Sequence, residues 1–324
     1  MITWTIRRLF QACFVVLAMT IIVFVGVHVI GNPVDILISP EADQAERARI
    51  IASMGLDQPL WRQYAYFLYD ALHGDLGRSF VFNEPALQLI AQRMPATMEL
   101  AVTAVLFSII FGVPLGLYAG LRPDGFVGRS IMAGSILGFS LPSFWVGLML
   151  IMVFAVELGW LPSTGRGQTE TLFGVPWSFL TVDGLRHMLL PAVNLSLFNI
   201  SLVLRLTRAG VRETLPMDFV KFARAKGLSP ARVILVHVLK NIMIPVVTVL
   251  GLELGSTIAF AVVTESVFAW PGMGKLIIDS INVLDRPVIV AYLMMIVLLF
   301  IVINLVVDIL YMVLDPRVRL GGKS

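Results

Sequence analysis

The chain has 324 residues, 58% of them apolar and 14% charged, with a formal charge of +3 and a mean hydropathy of +0.88. Soluble domains carry charge at about 25% of positions, so these values exclude an ordinary soluble domain and point to an all-α polytopic membrane protein. The small positive excess is a topology signal and gives a nucleic-acid partner little support, while a single cysteine, Cys13, excludes an internal disulfide and a cysteine metal cluster.

A membrane helix needs about 20 apolar residues, and six stretches supply them: 9–30, 98–119, 130–156, 187–204, 242–264 and 288–313. Six spans put both termini on one side. With the N-terminus inside, 15 of the 24 Lys and Arg residues fall on cytosolic segments and nine on the other face, so the positive-inside bias places both ends in the cytosol. Arg7 and Arg8 precede a long apolar run as in a secretory signal, but the run exceeds a signal core and no small-x-small cleavage site follows. The first helix is therefore read as uncleaved. The predicted organisation is an N-terminal transmembrane helix at 1–31, an extracytoplasmic subdomain at 32–97, a five-helix core at 98–314 and a cytosolic tail at 315–324.

In chain order, the polar excursion at 32–97 contains two short amphipathic patterns, 50–55 and 61–72, the second with Tyr64, Phe67 and Leu68 on one side. The second span carries Gly112, Pro114, Gly116 and Gly120, small residues that let helices approach closely. The third is read as one helix containing Ser140-Leu141-Pro142-Ser143-Phe144-Trp145. An outer loop at 158–186 follows, with Trp160 suited to the membrane interface. The fourth span then opens at His187 and presents Asn194, Asn199 and Ser201 for hydrogen bonds to neighbouring helices.

Between the fourth and fifth spans lies a cytosolic loop, 205–240, holding eight Lys and Arg residues. Its stretch 217–226 reads as a helix with Phe219, Phe222 and Ala223 on one face. Gly227 stops it, and Lys226 and Arg224 suit the negative end of its dipole. Ser229 as N-cap and Pro230 at the first helical position start a second helix. The positive-inside rule accounts for the charge of such a loop, but not for the two phenylalanines or the glycine and proline punctuation. A protruding basic and aromatic elbow of this kind suits docking into another protein.

The fifth span contains Glu253, the one carboxylate placed deep in the membrane. An ionisable group there is paired inside the bundle or lines a wet path, and both readings stay open. No nucleotide-binding fingerprint is present: Gly322-Lys323-Ser324 imitates the end of a P-loop, but Arg317 occupies the first glycine's place. The four histidines are scattered, and no acid and base pair or activated nucleophile suggests an enzyme. A secondary transporter or channel predicts an internal inverted repeat with midplane ion ligands, which the chain does not display.

The run Asp218-Phe219-Val220-Lys221-Phe222-Ala223-Arg224-Ala225-Lys226-Gly227-Leu228-Ser229, with His237, Asn241 and Pro245 beyond it, resembles the coupling loop of the membrane subunits of ABC importers in the dipeptide, oligopeptide and nickel permease family. Similar wording recurs at Gly55-Leu56-Asp57-Gln58-Pro59, Arg93-Met94-Pro95-Ala96-Thr97, Ser140 to Trp145, Thr264-Glu265-Ser266-Val267-Phe268-Ala269-Trp270-Pro271-Gly272 and Leu314-Asp315-Pro316-Arg317. The general importer pattern begins Glu-Ala-Ala, where this chain has Lys221-Phe222-Ala223, and it keeps the glycine as Gly227.

The resemblance implies a type I ABC importer permease fold of six transmembrane helices, with an extracytoplasmic segment between the first two. It implies a subunit of a bacterial inner-membrane, binding-protein-dependent importer of di- or oligopeptides, with nickel chelates or another small solute as the alternative cargo. Asp218, Phe219, Lys221, Phe222, Ala223, Arg224, Ala225, Lys226, Gly227 and Ser229 would couple to the ATPase. Glu253, Asn194, Ser143 and Trp270 are the candidates for the translocation path. No cofactor would be held by this chain, ATP and Mg being bound by ATPase subunits. The implied partners are a second homologous permease, two ATPase subunits and an extracytoplasmic substrate-binding protein.

Overall fold

A computed structural model describes residues 2–29, 44–45, 49, 52 and 57–314. The expected helix at 50–55, residue 52 apart, and the tail at 315–324 lie outside the described residues. The described chain is helical apart from its connections and one small hairpin, and the helices divide into two units, Met1–Arg93 with Leu276–Ile301, and Met94–Lys275 with Val302–Ser324.

In the first unit, α1 (Ile2–Val29) meets α2 (Leu60–Leu72). The face of α2 expected from its periodicity is the one used: Tyr64 and Phe67 pack on Phe24 at 5.3 and 5.9 Å between ring centroids, and Tyr64 shares a 2.8 Å hydrogen bond with the Thr20 hydroxyl. Phe67 and Leu76 cover a small core of Val23, Val290 and Met294. The connection after α2 is held by Asp285, whose carboxylate accepts from the Ser79 hydroxyl and, at 3.1 Å, from the Phe80 amide.

In the second unit α3 (Ala86–Leu121) enters from the first, followed by α4 (Phe126–Ser140), α5 (Ser143–Glu157), the hairpin strands β1 (Glu170–Leu172) and β2 (Val175–Trp177), α6 (Val182–Thr214), α7 (Asp218–Ala225) and α8 (Pro230–Val267). Two further helices, α9 (Met273–Asn282) and α10 (Arg286–Leu314), close the described chain. The central helix is α6, which runs against α3, α4, α5 and α8. Its contact with α3 follows from the small residues: a Cβ at Gly112, Gly116 or Gly120 would press into Val203, the Leu204 carbonyl with Thr207, or Val211 respectively. Spaced four apart, these glycines form one groove along α3 into which α6 settles.

Among the described residues, four helices, α3, α6, α8 and Arg286–Ile309 of α10, are long and apolar enough to cross a membrane. The third expected span is not one helix. Leu141 and Pro142 are extended, and α4 and α5 meet there at 108°. Proline excludes the residue before it from the helical region and cannot donate to the preceding turn, so an unbroken apolar run is still a broken helix. The outer loop also differs from the all-helical expectation, because 170–177 forms the antiparallel β1–β2 hairpin. At its end Thr181 caps α6 by accepting from the Gly184 amide at 2.9 Å, so that helix begins before the expected His187.

Candidate functional site

The segment 205–240 is less of a loop than its charge suggests. Its first residues continue α6 to Thr214, and from Pro230 onward it already belongs to α8. What remains between them is α7, one residue shorter at each end than the stretch 217–226. Asp218 sits in its first turn and Arg224 in its last, both favourable to the dipole. Gly227 has φ +75°, and its amide donates to the Arg224 carbonyl at 2.9 Å while the Leu228 amide reaches back to the Ala223 carbonyl at 3.3 Å. This pair of reversed bonds is the Schellman closure that a left-handed glycine permits. Ser229 then accepts from the Arg232 amide at 3.4 Å, with Pro230 at the first helical position.

The faces of α7 correct the sequence reading. Val220 and Ala223 are its buried side, packed into a core with Val211, Val233, Val238 and Ile242, and Leu228 covers the same cluster. Phe219 and Phe222 do not share that face; they are 42% and 61% exposed. Of the ten residues assigned to coupling, Ala223 alone is buried, and the other nine are presented outward. Lys221 pairs with Asp218 at 2.9 Å, and the Lys226 ammonium lies 4.5 Å from the centre of the Phe222 ring. A rigid helix, clamped on one side and closed by fixed caps on the other, therefore offers two aromatic rings edged with cations.

Three of the four path candidates meet in one place. Glu253, Asn194 and Ser143 line a cavity of about 480 Å³ between α4, α5, α6 and α8, together with Asn199, Thr257 and Phe260. Among the described residues Glu253 is its only ionisable lining residue. Asn194 donates its amide to Thr264 at 3.0 Å and Asn199 to Thr257 at 2.8 Å, joining α6 to α8. Asn199 is a site residue by this geometry; the sequence reading had it only as a helix-to-helix hydrogen bonder.

Trp270, the fourth candidate, lies elsewhere. It is fully buried with Ala96, Leu100, Met188 and Ala192, and its indole N–H donates to the Ala96 carbonyl at 2.9 Å. Beside it are two carboxylates to which sequence reasoning gave no such place. Glu265, fully buried in the last turn of α8, accepts from the Thr97 hydroxyl at 2.6 Å and the Lys275 amide at 2.9 Å. Glu99 accepts from the Ser178 and Phe179 amides at 2.7 and 2.8 Å and pairs with Arg166 at 2.7 Å. Both hold structure, since their acceptor capacity is taken up by the chain itself.

Two family descriptions match the sequence. "Binding-protein-dependent transport system inner membrane component" matches residues 112–320, and the corresponding N-terminal description matches residues 1–101. Among curated proteins, the chain is 35% identical to the dipeptide transport system permease protein DppB of Escherichia coli, covering 98% of this chain and 99% of that one. It is 38% identical to the di/tripeptide transport system permease protein DppB of Pseudomonas aeruginosa and 37% identical to the glutathione transport system permease protein GsiC of Escherichia coli, at the same coverage. Among solved structures, a chain of the MetNI methionine ABC transporter aligns with a TM-score of 0.52 at 16% identity, over 70% of this chain and 97% of that one.

Proposed function

Because the chain belongs to the family of binding-protein-dependent transport system inner membrane components, we propose that it forms half of the translocation path of an ATP-driven importer of short peptides. The membership makes it a multi-pass transport permease subunit of the inner membrane with the type I ABC importer permease fold. The peptide cargo is supported by relatives whose names specify dipeptide, di/tripeptide and glutathione transport, at 35% to 38% identity over nearly the whole chain.

The observation that carries the coupling role is α7. A helix whose Val220 and Ala223 are fixed in the core transmits a push on Phe219 and Phe222 to α6 and α8 as one rigid piece. In this reading both termini and α7 are cytosolic, and the connection after α1 is extracytoplasmic. An ATPase subunit receives the α7 face, a second copy of it serves a homologous permease, and a binding protein delivers peptide from outside. ATP and Mg are bound by the ATPases, and this chain holds no cofactor. ATP-driven closure of the ATPases draws the α7 helices together, and the path changes its access from one side of the membrane to the other.

The test is reconstitution with the partner permease, ATPases and binding protein in proteoliposomes. ATP-dependent accumulation of alanyl-alanine is expected, with none when ATP is replaced by ADP. Failure of the complete wild-type system to import any short peptide, while it imports another solute, would sink the peptide reading.

A further inference from the structure

We propose that the cavity lined by Glu253 and Asn199 is a subsite for a primary ammonium group, which on the peptide-importer reading is the N-terminal ammonium of the transported peptide. Its Glu253 carboxylate and its two asparagine oxygens are acceptors that await a donor, beside serine hydroxyls that can act either way. The Glu253 side chain has no hydrogen-bond or ion-pair partner among the described residues, and the amide oxygens of Asn199 and Asn194 are both buried without a partner.

The orientation of the Asn199 amide is fixed by its neighbour. The Thr257 hydroxyl donates its one hydrogen to the Glu253 backbone carbonyl at 2.7 Å, so towards Asn199 it acts as acceptor. Asn199 must therefore turn its NH₂ to Thr257, at 2.8 Å, and leave its oxygen unpaired. Asn199 is 2% exposed, and a buried acceptor without a donor costs stability unless something supplies one. An ammonium supplies N–H donors and a positive charge together, and a peptide's N-terminus carries one.

The remaining walls fit the same ligand. About 480 Å³ falls within the roughly 300–1,000 Å³ of small-ligand cavities. Phe139 and Phe198 stack at 5.0 Å between centroids and, with Phe260, give an apolar surface on which differing peptide side chains can rest. Among the described residues no Lys, Arg or His lines the cavity to receive a carboxylate, the Arg205 guanidinium being stacked on the Phe139 ring at 4.7 Å from its centre. The geometry thus selects the N-terminal ammonium, which every free peptide carries, and leaves the variable side chains against apolar rings.

The experiment uses the permease–ATPase complex in nanodiscs, with saturation-transfer NMR of alanyl-alanine against N-acetyl-alanyl-alanine. The wild type should bind the free amine more tightly by about tenfold or more, the scale of a charge-assisted hydrogen bond. Glu253→Gln should remove that preference while leaving the acetylated peptide unchanged, and Asn199→Leu should reduce it. Equal binding of the two peptides, binding of neither, or an undiminished preference in Glu253→Gln overturns the proposal. So does loss of the second permease from purified Glu253→Gln with the preference intact, which would assign Glu253 to a cation of that partner. If Glu253→Gln does not assemble, Glu253→Asp must weaken the preference and retain its sign, and equal binding there overturns it. A wild-type system that imports no peptide counts against the cargo alone; the subsite is then judged with alaninamide and N-acetylalaninamide, which ask only for the ammonium.

Discussion

The Thr97 hydroxyl donates to the Glu265 carboxylate at 2.6 Å, joining residues 168 positions apart in a pocket where both side chains are buried. The same hydroxyl accepts from the Met273 amide at 2.8 Å, so one threonine serves α3, α8 and the start of α9. The turn after α8 leaves no spare room, because a Cβ at Gly272 would overlap the Glu265 carboxylate. Removing one member strands the others away from water. Thr97→Val should lower the stability of the purified protein by about 1–3 kcal/mol, the usual cost of a stranded buried polar group, and Gly272→Ala should be at least as damaging. Thermal unfolding followed by fluorescence-detected size exclusion checks both. A Thr97→Val melting temperature equal to wild type would show that the clasp contributes nothing.

The groove along α3 gives a second prediction. Gly116 faces the Leu204 carbonyl and Thr207, and a backbone atom cannot move aside as a side-chain tip can. Gly116→Leu should therefore separate α3 from α6 and leave little folded protein in the membrane fraction, whereas Gly134→Leu, where nothing lies within 4 Å, should fold. Equal yields of the two variants by membrane immunoblot would contradict the packing.

Legibility in the sequence depended on whether a signal was local. Gly227, Ser229 and Pro230 punctuate the chain within a few residues, and the structure uses each as the sequence implied. The glycines at 112, 116 and 120 were readable for the same reason. Hydropathy, by contrast, records composition and not direction, so the apolar run across Pro142 passed for one helix when it turns through 108°. Glu265 and Glu99 were invisible as buried groups because their partners, Thr97 and Arg166, lie far away in sequence. The faces of α7 failed more subtly. Phe219, Phe222 and Ala223 fall within one arc of the helix, and only the position of the core shows that the line between buried and exposed runs between Ala223 and the two phenylalanines.

That line sets the third prediction. In a Cys13→Ser background, Phe222→Cys should crosslink to an ATPase subunit of the assembled complex, and Val220→Cys, fully buried, should not. Gly227→Val places a β-branched residue at φ +75°, a strain of about 1–3 kcal/mol, and should raise ATP hydrolysis per peptide imported while the protein still reaches the membrane. Crosslinking at Val220 in preference to Phe222 would mean that the wrong side of α7 has been assigned to the partner.

Sidedness underlies the coupling role and is tested last. The connection containing Gln168 and the helix end containing Lys226 are separated by α6, whose 33 residues span roughly 50 Å at about 1.5 Å per residue. A continuous helix of that length, apolar enough to cross a membrane, traverses a bilayer core of about 30 Å once, so the two positions are expected to face opposite compartments. Both side chains are exposed, neither makes a hydrogen bond among the described residues, and Lys226→Cys gives up only the contact of its ammonium with the Phe222 ring. In the Cys13→Ser background, an impermeant maleimide applied to intact cells should label Gln168→Cys and spare Lys226→Cys until the membrane is permeabilised. The reverse pattern would put α7 on the face without ATP, and no ATPase could then meet it.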